Sequence, residues 1–283
     1  MATFFNQATL SYSGGTVNSN ITTGEILEVL AATKTAVYDR YAPGSDITYA
    51  VNIVNSGTIA FTGLTVTDDL GAYAFGTTTL QPLDYVDGSI RYFVDGVLQP
   101  APTVTAGPPL VISGINVPAG GTATILYAAR ANTFAPQDVE GTIVNTVTIS
   151  GGGITPLTAT ETVSAEAEPR LTITKSVSPT TVTENGQLTY TFVIQNTGNV
   201  PADATDAVVV TDTFDPILSN LTVTYNGVVW TSPANYTYNE VTGLFSTAAG
   251  SITVPAATYT QDPTTGAWVV DPGVAVLTVT GTI

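Results

Sequence analysis

The sequence contains no cysteine and no histidine among its 283 residues. Disulfides, zinc sites built on Cys or His, and nucleophilic triads that need either residue are therefore excluded. Basic residues are also scarce, with six Lys or Arg against 22 Asp or Glu and a net charge of −16. Nucleic acids and anionic membranes bind through clustered basic side chains, so we expect neither as a partner.

Long apolar runs are missing as well, and no stretch approaches the roughly 18 residues of a membrane span. The first residues, MATFFNQ, lack the basic segment and long apolar stretch of a secretory signal peptide. No group of residues has the spacing of a metal site or of a catalytic motif. We therefore expect no cofactor, no bound metal and no enzymatic activity other than self-modification of the chain.

What the sequence does contain is the pattern of β-strands. Segments such as ITYAVNIV, LTYTFVIQ, ATILYAA and TIVNTVTI alternate apolar and polar residues and are rich in β-branched side chains. Asp95-Gly96 and Asn226-Gly227 are typical two-residue hairpin turns. No segment has a convincing helical period, so the sequence predicts an all-β protein.

An internal repeat divides the chain. LAATKTAV at residues 30–37 resembles LTITKSVS at residues 171–178, an offset of 141 residues. The same offset relates four residue pairs: Lys34 and Lys175, Tyr49 and Tyr190, Asn55 and Asn196, and Gly57 and Gly198. The repeat predicts two tandem immunoglobulin-like β-sandwich domains, at residues 26–165 and 166–283, after an N-terminal strand and linker at residues 1–25.

These repeated residues resemble a known family. The pattern TKxxxP, GxxxxYxxxxxNxG and VxxTD is similar to the bacterial and archaeal surface repeats called domain of unknown function eleven. LTITKSVSPTTVTENGQLTYTFVIQNTG carries the resemblance best, and it extends over most of the chain from about residue 30. The resemblance implies an extracellular, tandemly repeated β-sandwich module, and it implies little about mechanism.

The second predicted domain lacks a strand that the first one has. In the first domain ATILYAA is followed by a closing strand, TIVNTVTIS, which carries Asn145. In the second domain the matching strand, VAVLTVT, has no such successor. The N-terminal stretch FFNQATLSYSGG aligns with TIVNTVTISGGG and places Asn6 on Asn145. This stretch therefore resembles a closing strand that belongs to no domain of its own.

These two facts predict donor-strand complementation, in which residues 2–12 of one copy complete the second domain of another copy. Phe4, Ala8 and Leu10 are the expected apolar anchors of that strand. A head-to-tail contact of this kind produces a filament, with the chain itself as partner. Two alternatives remain open: the strand adds to the edge of its own first domain, or it closes its own second domain.

Strand phase also predicts two buried polar triads. Lys34, Asp68 and Asn145 point toward the core of the first domain, and Lys175 and Asp212 point toward the second core, where Asn6 of another copy would join them. Burial favours the neutral forms of an amine and a carboxyl group, so each lysine can attack the asparagine to form an isopeptide bond with the aspartate as proton shuttle. A hydrogen-bonded network is the alternative, and Asp69 and Asp206 are alternative acids.

The predicted function is therefore structural. We expect the repeating subunit of an extracellular filament, on a cell surface or a spore surface, assembled by donor strands and locked by isopeptide bonds. The alternative is a stalk or adhesin fragment of a larger surface protein.

Overall fold

The computed structural model describes residues 2–26 and 28–283, and nearly all of its regular structure is β-strand. A short 3₁₀ turn at Ala204–Asp206 is the helical element of this described part. No helix in it has the length and apolar character needed to cross a membrane. The all-β prediction is confirmed.

The period-two pattern of the sequence places alternate side chains in the interior. In the strand Asp46–Asn55, Ile47, Tyr49, Val51 and Ile53 are at most 3% exposed, while most of the residues between them reach solvent. Alternation of this kind buries one face of each sheet.

The strands of the N-terminal segment and of the first core are numbered in chain order. The N-terminal segment contains β1 (Ala2–Asn6), β2 (Thr9–Tyr12), β3 (Gly15–Asn18) and β4 (Thr22–Ile26). The first core is surrounded by β5 (Leu30–Ala36), β6 (Arg40–Tyr41), β7 (Asp46–Asn55), β8 (Phe61–Asp68), β9 (Tyr73–Phe75), β10 (Thr78–Leu80), β11 (Leu83–Tyr85), β12 (Arg91–Val94), β13 (Val97–Leu98), β14 (Thr103–Thr105), β15 (Leu110–Val117), β16 (Thr122–Ala131), β17 (Thr142–Ser150) and β18 (Leu157–Ala165).

The remaining strands belong to the second half of the chain. They are β19 (Leu171–Ser178), β20 (Gln187–Asn196), β21 (Thr211–Thr213), β22 (Ser219–Tyr225), β23 (Val228–Trp230), β24 (Tyr236–Tyr238), β25 (Leu244–Thr247), β26 (Thr258–Gln261), β27 (Trp268–Asp271) and β28 (Gly273–Thr282).

Two sheets enclose the first core. One has the order β13-β12-β16-β7-β5, with β11 also on β16, and the other has the order β14-β15-β8-β17-β18-β6. The closing hairpin β17–β18 thus lies beside β8, and β18 also packs against β5 of the facing sheet. Ile143, Val147 and Ile149 of β17 are fully buried and close this side of the core.

The second core is a separate cluster with only part of this arrangement. Its sheet β23-β22-β28-β20-β19 repeats the order β13-β12-β16-β7-β5 strand for strand. Its other sheet, β24-β25-β21, ends at β21, which corresponds to β8. Within the described residues no strands correspond to β17 and β18. The second core therefore has two strands fewer on this side, whereas the sequence predicted that one would be missing.

The N-terminal segment, for which the sequence predicted a donor strand and a linker, forms a hairpin in the single chain. β1 pairs with β4, and β2 pairs with β3 across a turn at Ser13-Gly14. Backbone pairing satisfies polar groups that an extended linker would leave to water, and the glycines permit the turn. Every described side chain between residues 3 and 23 is exposed, so this hairpin packs on neither core.

A second hairpin, β26–β27, joins the two halves. The Gln261 side-chain amide donates to the Tyr73 hydroxyl at 2.9 Å, and the Trp268 backbone N–H donates to the Thr133 carbonyl at 2.8 Å. This insertion therefore covers the first sandwich.

Candidate functional site

Lys34 and Asp68 form a buried ion pair between the two sheets of the first sandwich. Lys34 lies on the edge strand β5 and Asp68 at the end of β8 in the facing sheet, and Lys34 Nζ is 2.8 Å from Asp68 Oδ2. Both side chains are fully shielded from solvent. The other carboxylate oxygen, Oδ1, accepts a hydrogen bond from the Leu70 backbone N–H at 2.7 Å.

Two tyrosines line this pair. The rings of Tyr49 and Tyr127 stack directly opposite each other on β7 and β16, and Lys34 Nζ lies 4.7 Å from the centre of the Tyr49 ring. The Tyr127 hydroxyl donates to Asp68 Oδ2. Burial lowers the pKa of the Lys34 amine, although the charge of Asp68 opposes this shift. The site therefore favours the neutral, nucleophilic amine more than water does.

Asn145 lies in the same interior. It is on the inward face of β17, two residues before Val147, which pairs with Asp68 of β8. Its side chain is completely buried, and among the described residues neither its amide nitrogen nor its carbonyl oxygen has a hydrogen-bond partner. A buried amide left unpaired costs about 1–3 kcal/mol, so it calls for an explanation. The charge of its cross-strand partner, Glu161, acts to raise the pKa of Lys34.

The burial of the first pair predicts a large stability effect. Asp68→Asn should lower the free energy of unfolding of the monomer by about 3 kcal/mol or more, because it leaves the buried Lys34 side chain without its partner. The matched change Asp212→Asn acts on a more exposed pair and should cost about 1 kcal/mol or less. Urea unfolding of both variants measures the difference, and equal losses would contradict this account of the first site.

The second half repeats the pair in a more open setting. Lys175 of β19 forms an ion pair with Asp212 of β21, but 39% of the Lys175 side chain is exposed. Aromatic rings again surround the ammonium group, with Nζ 4.6 Å from the centre of the Tyr190 ring and 5.4 Å from that of Phe214. Val279 takes the place of Tyr127, because it lies opposite Tyr190 as Tyr127 lies opposite Tyr49.

The second core is exposed to solvent along the edge strands β19 and β21. Leu171 and Ile173 share the phase of Lys175 and are 36% and 51% exposed, whereas the matching Leu30 and Ala32 pack against the first core. On β21, the Val210 carbonyl and the Phe214 N–H bond toward β25. Because antiparallel hydrogen bonds alternate in direction, the backbone groups of Thr211 and Thr213 face the open edge.

The predicted donor residues lie on the exposed hairpin. Phe4 and Leu10 are 52% and 67% exposed, and Asn6 and Ala8 are exposed as well. The β1–β4 part of the hairpin has the register of β17–β18, since Asn6 pairs with Thr22 and Asn145 pairs with Glu161, each sixteen residues later, whereas β2–β3 is shifted by one residue. An offset of 139 residues therefore superimposes Phe4, Asn6, Ala8 and Leu10 on Ile143, Asn145, Val147 and Ile149.

The two alternative acids have other roles in this structure. Asp69 Oδ1 accepts hydrogen bonds from the backbone N–H groups of Gly71 and Thr146, at 2.9 and 3.0 Å. Asp206 caps the 3₁₀ turn by accepting from the Asp203 backbone N–H. Asp68 and Asp212 are the carboxylates in contact with the two lysines.

Comparison with known proteins leaves the family open. No family model and no curated protein matches the chain, so the resemblance to domain of unknown function eleven finds no support. Similar solved structures include the pilus backbone RrgB of Streptococcus pneumoniae, with 13% identity and a TM-score of 0.36 over 86% of this chain. This chain spans 55% of the length of that protein.

Two further solved structures are similar to the chain. The major pilin subunit of Bacillus cereus has 10% identity and a TM-score of 0.38, with 95% of this chain and 73% of that chain covered. The collagen-binding domain of a Staphylococcus aureus adhesin has 11% identity and a TM-score of 0.30, with 50% and 99% covered. At TM-scores below 0.5 these likenesses assign no function to this chain.

Proposed function

We propose that this protein is the subunit of an extracellular filament, in which the N-terminal segment of one copy fills the open side of the second sandwich of the next. The observation that carries the proposal is the match between an exposed hairpin whose β1–β4 part has the register of β17–β18 and a second core that has no counterpart of β17 and β18 among the described residues. The contact is head-to-tail, so it propagates as a filament instead of closing as a dimer.

In the proposed contact the segment β1–β2 adds antiparallel to the free edge of β21. Phe4, Ala8 and Leu10 take the positions that Ile143, Val147 and Ile149 occupy in the first sandwich. This contact shields Leu171 and Ile173 of β19 and pairs the outward backbone groups of Thr211 and Thr213, where the Thr213 N–H exchanges the Asp212 carboxylate for the donor backbone. Burying an exposed Phe or Leu side chain contributes about 1.5–3 kcal/mol, so two such anchors supply a sizeable part of the binding free energy.

We further propose that the first triad forms an isopeptide bond. The neutral Lys34 amine attacks the side-chain carbonyl carbon of Asn145, a new C–N bond forms, and the amide nitrogen leaves as ammonia. Asp68 accepts a proton from the attacking amine and passes it to the departing nitrogen. The rigid interior replaces a bimolecular encounter, and no oxidant or cofactor is required.

Asn6 and Lys175 are the proposed partners of the second bond. The same offset that places Phe4 on Ile143 places Asn6 on Asn145, and Lys175 already contacts Asp212. Arrival of the donor segment would bury Lys175 beside the Asn6 amide, so the amine meets its acyl partner only after assembly. The covalent bond would therefore join neighbouring copies of the chain.

A stalk or adhesin module within a larger surface protein is the second candidate. The free edge of β21 equally suits a further segment of the same polypeptide. Electron microscopy of the purified chain separates the two functions: growth into filaments supports the subunit, and a chain that stays monomeric at high concentration supports the stalk.

Intact mass tests the bond inside the first sandwich. The monomer should weigh less than its sequence by one ammonia molecule, and Lys34→Ala or Asn145→Ala should restore the full mass. Lys175→Ala is the matched control and should leave the monomer with the loss. A parent monomer at full sequence mass would show that the first triad is a noncovalent polar cluster.

A further inference from the structure

A second gap in the second sandwich lies at residues 181–182. In the first sandwich, Arg40 and Tyr41 of β6 pair in parallel with Ser164 and Ala165 at the end of β18. The Glu166 N–H also donates to the Tyr41 carbonyl at 2.8 Å. The 141-residue offset places Thr181 and Val182 at the positions of Arg40 and Tyr41. Yet residues 181–182 belong to no strand in the described chain, although Val182 packs against the second core.

The end of β4 matches the end of β18. The 139-residue offset that aligns Asn6 with Asn145 also places Glu25 and Ile26 at the positions of Ser164 and Ala165. The segment that would pair with Thr181 and Val182 is thus the return strand of the same exposed hairpin.

The sizes of two facing side chains support the match between the N-terminal hairpin and the closing hairpin β17–β18. In the closing hairpin Ile143 lies opposite Val163, and in the N-terminal hairpin Phe4 lies opposite Gly24 at the corresponding positions. A Cβ atom on Gly24 would overlap the Phe4 ring, so the ring covers the space that a larger residue would occupy. A larger side chain on one strand and a smaller one on the other fill similar volume, as packed cores require.

We infer that the whole N-terminal hairpin is donated, and that its return strand β4 binds the acceptor copy by adding Glu25 and Ile26 in parallel beside Thr181 and Val182. This inference rests on the proposed function and names a second docking surface for it. At the 139-residue offset the residues that would pair with β21 lie in β2, so β1 and β2 can keep β4 and β3 along one edge while the other edge of β2, unpaired among the described residues, meets β21. Donation of the intact hairpin therefore keeps all the β1–β4 hydrogen bonds, whereas donation of β1 alone would break them.

Engineered disulfides test the docking surface, since the chain has no cysteine of its own. Directly paired strand residues lie within disulfide range. Glu25→Cys with Thr181→Cys should form a disulfide in filaments and none in monomers. Thr9→Cys with Thr211→Cys reports donation of the first strand separately. Arg40→Cys with Ser164→Cys is the intrachain control for the same parallel geometry. Peptide mapping of oxidised filaments identifies each bond.

The set of engineered disulfides that form distinguishes three outcomes. Formation of both intermolecular disulfides supports donation of the hairpin. Formation of the Thr9–Thr211 bond without the Glu25–Thr181 bond would overturn this inference and leave donation of the first strand intact. Absence of both, with the Arg40–Ser164 control formed, would overturn the proposed function as well.

The Phe4–Gly24 pair offers an independent measurement. Gly24→Val should slow filament growth several-fold, because the new side chain displaces the Phe4 ring. Adding Phe4→Ile recreates the Ile143–Val163 pair and should restore growth. If β4 detached on donation, Gly24→Val would leave growth unchanged or speed it by loosening the hairpin, and either result would contradict the inference.

Discussion

Deleting residues 2–26 is expected to abolish filament growth while both cores remain folded. The first sandwich is closed by its own Ile143, Val147 and Ile149, so it does not need the N-terminal hairpin. The hairpin packs on neither core in the single chain, so its removal exposes no core side chain. Sedimentation and electron microscopy should find folded monomers in place of filaments.

The deleted chain retains the open edge and should therefore act as a chain terminator. Mixed into the parent protein, it accepts a hairpin but donates none, so filaments should shorten in proportion to its fraction. The complementary variant Thr211→Pro removes an outward N–H from the acceptor edge without touching the bonds of β21 to β25. Thr211→Val keeps that N–H and should assemble normally. Filaments of normal length from the deleted chain would contradict strand donation.

Lys175→Arg is expected to convert boil-resistant filaments into filaments that dissolve to monomers in hot detergent. The guanidinium group stays protonated and cannot attack the Asn6 amide, so the inter-subunit bond is lost. Assembly should persist in weakened form, because backbone pairing and burial of Phe4 and Leu10 are unaffected. Denaturing gels of boiled filaments measure the change from a ladder to a single band.

Two matched variants locate the bond. Asn6→Ala removes the acyl partner and keeps the apolar anchors, so it should give the same single band as Lys175→Arg. Lys34→Arg disables only the first triad and should keep the ladder. A full ladder from Lys175→Arg would mean that another pair of residues joins the subunits.

Much of the site follows from strand phase. The repeat at 141 residues and the period-two pattern were enough to pair Lys34 with Asp68 and Lys175 with Asp212, and both ion pairs are present; the first is buried as expected, whereas the Lys175 side chain is 39% exposed. The alternation predicts side-chain direction well in these strands, because one face of each strand is buried and its apolar residues therefore mark the side that faces the core. The choice of Asp68 over Asp69 needed the three-dimensional contacts.

The return strand of the hairpin could not be predicted from the same pattern. Residues 15–23 are mostly polar, rich in Thr and Asn, and exposed, so burial leaves no mark on their sequence. The pairing is set by backbone hydrogen bonds and by the Ser13-Gly14 turn. At an offset of 139, residues 18–26 share only Thr23 with residues 157–165, so the sequence carries no signal for this match. Tyr127 was missed as well, although it follows the inward phase of β16.

A single isotope experiment tests the central claim most directly. Monomers labelled with ¹⁵N are mixed with unlabelled monomers, allowed to assemble, digested, and searched by mass spectrometry for the branched peptide that joins Asn6 to Lys175. The account predicts branched peptides with one heavy and one light arm, in the proportion expected for random mixing. Branched peptides whose arms always carry the same label, or filaments whose Lys175 peptides remain unbranched, would contradict it.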